Sequence, residues 1–174
     1  MKNYPVVRTD KMSGTDNRVD LYSARYYDGN DAVAEINNGC VVKLGALEST
    51  VSPAWTSREI YKATDVAANT PLDEVALVAS PEVVYDERLR DLDDYTNEAG
   101  KAIRVYALGK KGQMFGLTAN AFDGTPAKGK IVELKAGNKL AVVSSATAST
   151  TTVGVIDAVE NAGKYTYYVV RVTG

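Results

Sequence analysis

Histidine is absent from the chain, and cysteine occurs once, at Cys40. The first absence removes Ser-His-Asp and Cys-His catalytic devices and every histidine-containing zinc site. A single cysteine removes an internal disulfide framework and thiolate metal clusters. Flanked by Val41 and Val42, Cys40 is expected as a buried small residue rather than a reactive thiol. There is no Walker A lysine loop and no dinucleotide glycine fingerprint. No segment approaches the ~20 apolar residues of a membrane helix. Residues 1–10 lack the apolar centre of a signal peptide. These absences predict a soluble protein made in a cytosol, with no catalytic residue, no cofactor and no resident metal.

What is present is ordinary for a folded chain of 174 residues: 45% hydrophobic, 24% charged, with a net charge of −2. That fits one domain with a sizeable core and an arm or insertion. The near-neutral balance gives no global attraction to nucleic acid or to an anionic membrane. Charge is uneven along the chain: acidic over 31–101, basic from 102 onward, with Lys110, Lys111, Lys128, Lys130, Lys135 and Lys139 near turns. This polarity suits a protein interface, and equally suits lysines placed on turns for solubility.

Short alternating runs cut by glycine turns dominate residues 99–172. Strands are expected at 102–108, 113–117, 130–134, 140–143, 152–160 and 164–172, with a helical turn at 118–122 and an exposed Ser/Thr/Ala loop at 144–151. Both faces of the last strands are apolar, which predicts a small closed barrel or a sheet covered on each side. Earlier strands are expected at 40–47, after the turn Asn37-Asn38-Gly39, and at 75–79. Residues 56–68 stay open: Thr56 and Glu59 have capping-box spacing, yet Glu59, Tyr61 and Ala63 alternate as in a strand. Trp55 is a core plug or an interface anchor.

Residues 81–100 form an acidic insertion expected to project from the β pattern. Pro81 suits the first turn of a helix, and Tyr85, Leu89 and Leu92 have helical spacing; the alternative is a strand followed by a loop. Asp91, Asp93, Asp94 and Glu98 are the carboxylates close enough in sequence for acid-base work or an ion, although Tyr95 spoils an EF-hand pattern. Tyr165, Tyr167 and Tyr168, with Arg171, invite comparison with an oligonucleotide-binding platform, although strand aromatics mostly pack.

The first 30 residues lack a sustained period and read as an extended N-terminal arm before a β-rich body at 31–174. Tyrosine and arginine are enriched in interface hot spots. Tyr4, Arg8, Arg18, Tyr22, Arg25, Tyr26 and Tyr27 are therefore the candidate partner contacts.

The stretches GTPAKGKIVEL at 124–134, GVIDAVE at 154–160, YTYYVVRV at 165–172 and NNGCVVKLG at 37–45 resemble small structural proteins of tailed-phage particles, mainly from phages of Gram-positive bacteria. More distantly the pattern is similar to head decoration (cement) proteins of the lambdoid type. That resemblance implies a mainly β, β-tulip-like body of short antiparallel strands with an N-terminal arm and few helical turns. It implies a homo-trimer bound to the major capsid protein on the capsid exterior of the virion, stabilising the head. The alternatives are another virion part, such as a tail tube or fibre-base subunit, and an oligonucleotide- or glycan-binding β module.

Overall fold

The computed structural model describes residues 3–12, 20–48, 59–83 and 91–174. Within them lie strands β1 (Val7–Arg8), β2 (Leu21–Tyr26), β3 (Val41–Leu47), β4 (Ile60–Thr64), β5 (Val75–Val78) and β6 (Ile103–Ala107). They are followed by β7 (Met114–Leu117), β8 (Phe122–Asp123), β9 (Ile131–Leu134), β10 (Leu140–Val143), β11 (Thr152–Ala162) and β12 (Tyr165–Val172). The described helical content consists of single 3-10 turns at Leu72–Glu74, Leu92–Asp94 and Ala119–Ala121. The fold is mainly β, with a small barrel and few helical turns.

The strands make two bodies: a closed barrel in the order β2-β4-β3-β5-β6, and a seven-stranded sheet in the order β1-β7-β12-β11-β9-β10-β8. All described barrel pairs are antiparallel except β2–β4.

The barrel wall β3–β5 explains why β5 is an unbroken apolar run and why β3 opens on two buried valines. Alternate residues of a strand point to opposite faces. Val42, Ala76 and Val78 join the barrel core with Ala24, Ala63, Ile103 and Val105. Their neighbours Val41, Val75 and Leu77 join a second core, with Phe115, Leu117, Leu134, Leu140, Ile156 and Val170 of the open sheet. A strand buried on both faces has no polar side to show. Burying each Leu or Phe contributes roughly 1.5–3 kcal/mol.

The closed barrel is formed by β2 to β6, whereas the last strands, expected in a small closed barrel or in a covered sheet, lie in the seven-stranded sheet. The C-terminal series is divided: β6 closes the barrel, and β7 to β12 belong to the open sheet. The β11–β12 hairpin turns at Gly163-Lys164, with Ala162 opposite Tyr165. At Gly154 a Cβ would stand 2.1 Å from the Arg171 carbonyl oxygen, so only glycine lets β11 approach β12 there.

The expected arm over residues 1–30 divides in two. Residues 3–12 are an extended strap whose β1 pairs with β7 at the sheet edge. Leu21–Tyr26 is barrel strand β2, paired with β4 on one side and β6 on the other, with Ala24 and Tyr26 buried. Its inward residues are Tyr22, Ala24 and Tyr26; two tyrosines alternating with Ser23 and Arg25 disguise an ordinary period of two. The described part of the acidic insertion packs instead of projecting. Asn97 bridges Ile36, and Asp94 and Asn97 are buried. Residues 60–64 form a strand, which decides the open alternative for that part of 56–68. Arg18, Trp55, Thr56, Tyr85 and Leu89 lie outside the described residues.

Candidate binding surface

The strap is fastened by its backbone. Val6 N–H donates to Thr118 Oγ1 at 2.9 Å, and Thr118 N–H donates back to Val6 O at 3.0 Å. Tyr4 N–H donates to Asp93 O at 2.9 Å. The Asn120 amide donates to Asn3 O at 2.9 Å and Asn3 Oδ1 at 2.7 Å. Pro5 and Val6 are buried, while Tyr4 and Arg8 remain partly exposed.

Arg8 crosses the outer side of the sheet. Its guanidinium sits 5.2 Å from the centre of the Tyr167 ring and reaches Glu160 at 3.5 Å. Gly116 lies beneath, where a Cβ would meet Arg8 Cβ at 3.4 Å and Tyr167 Cβ at 3.5 Å. Asp10 bonds Arg8 at 2.5 and 3.1 Å, and Lys11 pairs with Glu160 at 2.7 Å. The bond to Arg8 holds the Asp10 carboxyl below its ordinary range, and the same bond raises the Arg8 guanidinium. Tyr167 is therefore covered by Arg8 and buried, so it offers no open face for base stacking.

The other candidate contacts among the described residues are committed to the barrel. Arg25 Nη1 meets Glu48 Oε2 at 2.5 Å and Arg25 Nε donates to Gly100 O at 3.0 Å. Tyr27 donates to the other Glu48 oxygen, and Lys62 lies 4.8 Å from the Tyr27 ring centre. Desolvation works against the Arg25 charge, but the Glu48 carboxylate outweighs it and the guanidinium pKa rises. Tyr26 donates to Asp65 at 2.7 Å; burial first, then this bond, pushes its pKa up to about 12. Tyr22 packs edge-on against Tyr61, ring centres 5.3 Å apart.

The sequence-adjacent carboxylates separate. Asp91 and Asp93 meet Lys164 at 2.7 and 3.1 Å, and Tyr165 donates to Asp93 at 2.7 Å. Desolvation opposes the Asp93 charge, yet the bonds from Tyr165 and Lys164 leave its pKa lowered. Asp94 is buried, and Glu98 faces Lys101 at 4.0 Å. No three acidic, cysteine or histidine side chains converge as a metal set among the described residues. A cleft of about 180 Å³ lies between the strap and this cluster, lined by Asn3, Tyr4, Asp93, Asn120, Lys164 and Tyr165. Tyr165 and Tyr167 share a face with centres 6.1 Å apart, whereas Tyr168 packs against Phe122 and Arg171 pairs with Asp157.

Among the turn lysines, Lys110 pairs with Asp20 and Lys135 with Asp123. Cys40 is buried in the barrel core, and desolvation pushes its thiol up to about 11. One cluster had no visible signal in the sequence. Asn97 donates to Ile36 O at 2.9 Å and to Asn38 Oδ1 at 3.1 Å, while Asn38 exchanges bonds with the Ser80 backbone at 2.8 and 3.0 Å. Asn38 shows only as a turn residue, and nothing in its neighbourhood points to Asn97.

Comparison with family models, with curated proteins and with solved structures finds no match to this chain.

Proposed function

We propose that this chain is a structural protein of a tailed-phage particle: a head decoration protein that binds the outer surface of the major capsid protein lattice and stabilises the shell. The observation that supports it is the strap. A β body with two packed cores carries, along one sheet edge, an extended segment whose Tyr4 and Arg8 are partly exposed and whose backbone is already fixed. A pre-ordered segment loses less entropy on binding than a free tail. Tyrosine and arginine on such a segment are the side chains that anchor interfaces. Ligation that favours the assembled shell over loose subunits stabilises the shell by mass action. A trimer adds avidity through effective concentration.

Within this reading the contact set contracts, among the described residues, to Tyr4 and Arg8, since Tyr22, Arg25, Tyr26 and Tyr27 serve the barrel; Arg18 lies outside the described residues. Deleting everything before Asp28 would remove β2 and open the barrel, so point substitutions are the cleaner test. The wild-type chain is expected to co-sediment with purified expanded phage heads. The double variant Tyr4→Ala, Arg8→Ala is expected to bind at least about tenfold more weakly, as loss of hot-spot residues implies, with its melting transition retained. Failure of the wild type to co-sediment, or equal binding by the double variant, overturns the proposal.

A further inference from the structure

The β11–β12 hairpin outruns its sheet. β9 accompanies β11 only from Thr152 to Val155, and the last cross-strand bonds on that side join Ile156 to Gly129 and Lys130. From there to Ala162, β11 keeps β12 on one side and has no backbone partner among the described residues on the other. In a two-residue hairpin the pair flanking the turn exchanges both backbone bonds, and bonded and non-bonded pairs then alternate. Ala162–Tyr165, Glu160–Tyr167 and Ala158–Val169 are thus the bonded pairs. The N–H and C=O groups of Val159 and Asn161 point off the open edge.

Open edges are normally protected by charge, above all lysine, by proline, by a β-bulge or by cover. Here a bulge stands at Ile156/Ala158, and the strand beyond it to Ala162 holds no lysine or proline. Residues 157–162 read Asp-Ala-Val-Glu-Asn-Ala. Glu160 is neutralised by Lys11 at 2.7 Å and Arg8 at 3.5 Å, and Asp157 by Arg171 at 3.0 Å. Val159 is 45% exposed, an apolar side chain on this edge.

We propose that this edge is an interface between two copies of the chain, paired antiparallel about a two-fold axis at Val159. The segment is self-complementary in that register. Val159 faces its own counterpart, Ala158 faces the second copy's Glu160, and Asp157 faces the second copy's Asn161. No like charges stand opposite one another, as a stable cross-strand pairing requires. A two-fold contact uses the same patch on both copies, so it closes without leaving a new edge at that site. The area is small, so the dimer forms where copies are concentrated. The inference stands apart from the proposed capsid role and does not need it.

Sedimentation velocity of the full chain over a wide concentration range should show a monomer–dimer equilibrium, or even-numbered assemblies if a further contact exists. Val159→Lys should weaken the association at least about tenfold by placing two lysines face to face, without altering the melt. Val159→Cys should yield a disulfide-linked dimer under mild oxidation, because facing residues of a bonded antiparallel pair stand about 5.5 Å apart; Cys40 is buried and does not compete. A chain monomeric at every concentration, or an assembly unchanged by Val159→Lys and not cross-linked through position 159, overturns the proposal.

Discussion

The barrel and the open sheet solve the same problem with different means. The barrel closes on itself around alanines and valines, Ala24, Ala63, Ala76, Val42, Val78 and Val105, together with Ile103 and Tyr26, and has no edge to defend. The sheet packs Phe115, Leu117, Leu134, Leu140 and Ile156, and must end somewhere. It ends under the strap on one side and at the short β8 on the other. The barrel also carries buried polar groups, the Asn38–Asn97 amides and the Arg25–Glu48 pair, whereas the charges around the strap sit nearer to solvent.

The comparison breaks most completely if the two bodies unfold separately. Phe115→Ala, in the core they share, is expected to cost about 3–5 kcal/mol. Urea denaturation followed by fluorescence and circular dichroism should show one coincident transition at lower urea. Two separated transitions would mean that the barrel stands alone. Next in size is Glu48→Gln, which leaves the Arg25 guanidinium, 17% exposed, without its counter-charge. We expect a loss of about 2–3 kcal/mol, below the full range for a wholly buried pair. Replacing Arg25 and Glu48 together by methionine should cost less than Glu48→Gln alone. Asn97→Ala removes the amide's bonds to the Ile36 carbonyl and to Asn38 Oδ1, which keep the Asn97 and Ser80 backbone donors, and should cost about 0.5–1.5 kcal/mol.

The last expected effect appears only at alkaline pH. Tyr26 has its pKa raised in the fold from 10.0 to about 12. Between those values the unfolded chain has released this proton and the folded chain has not, so stability falls as pH rises through that window. Below pH ~10 the contribution is fully present. Tyr26→Phe should flatten this part of the stability profile while costing the Asp65 hydrogen bond at every pH. An unchanged slope in denaturation curves across the window would refute the assignment. The barrel interior has a chemical probe as well: Cys40 should stay unmodified by a thiol reagent in native buffer and react fully in denaturant.

Legibility follows the same division. In the open sheet, β7, β9, β10, β11 and β12 lie between glycine- or asparagine-bearing turns and pair largely with near neighbours, so local alternation was enough to find them. The barrel hid its first strand because β2 pairs with strands far along the chain, and because Tyr22, Arg25, Tyr26 and Tyr27 have the side chains of an interface. Their partners Asp65, Glu48 and Gly100 come from distant loops and strands, and a single sequence carries no trace of such pairing. Tyr4 and Arg8 share that chemistry and stayed at the surface. What separates the two sets is whether a later strand arrives to cover them.

The pairing of β2 with β6, and of β1 with β7, also orders the life of the nascent chain. The ribosome releases the strap and β2 before β6 and β7, and Leu21–Tyr26 cannot be sealed into the barrel until Ile103–Ala107 has emerged. Val7–Arg8 must wait longer still, for Met114–Leu117. The strap and β2 thus leave the ribosome well before the strands that cover them.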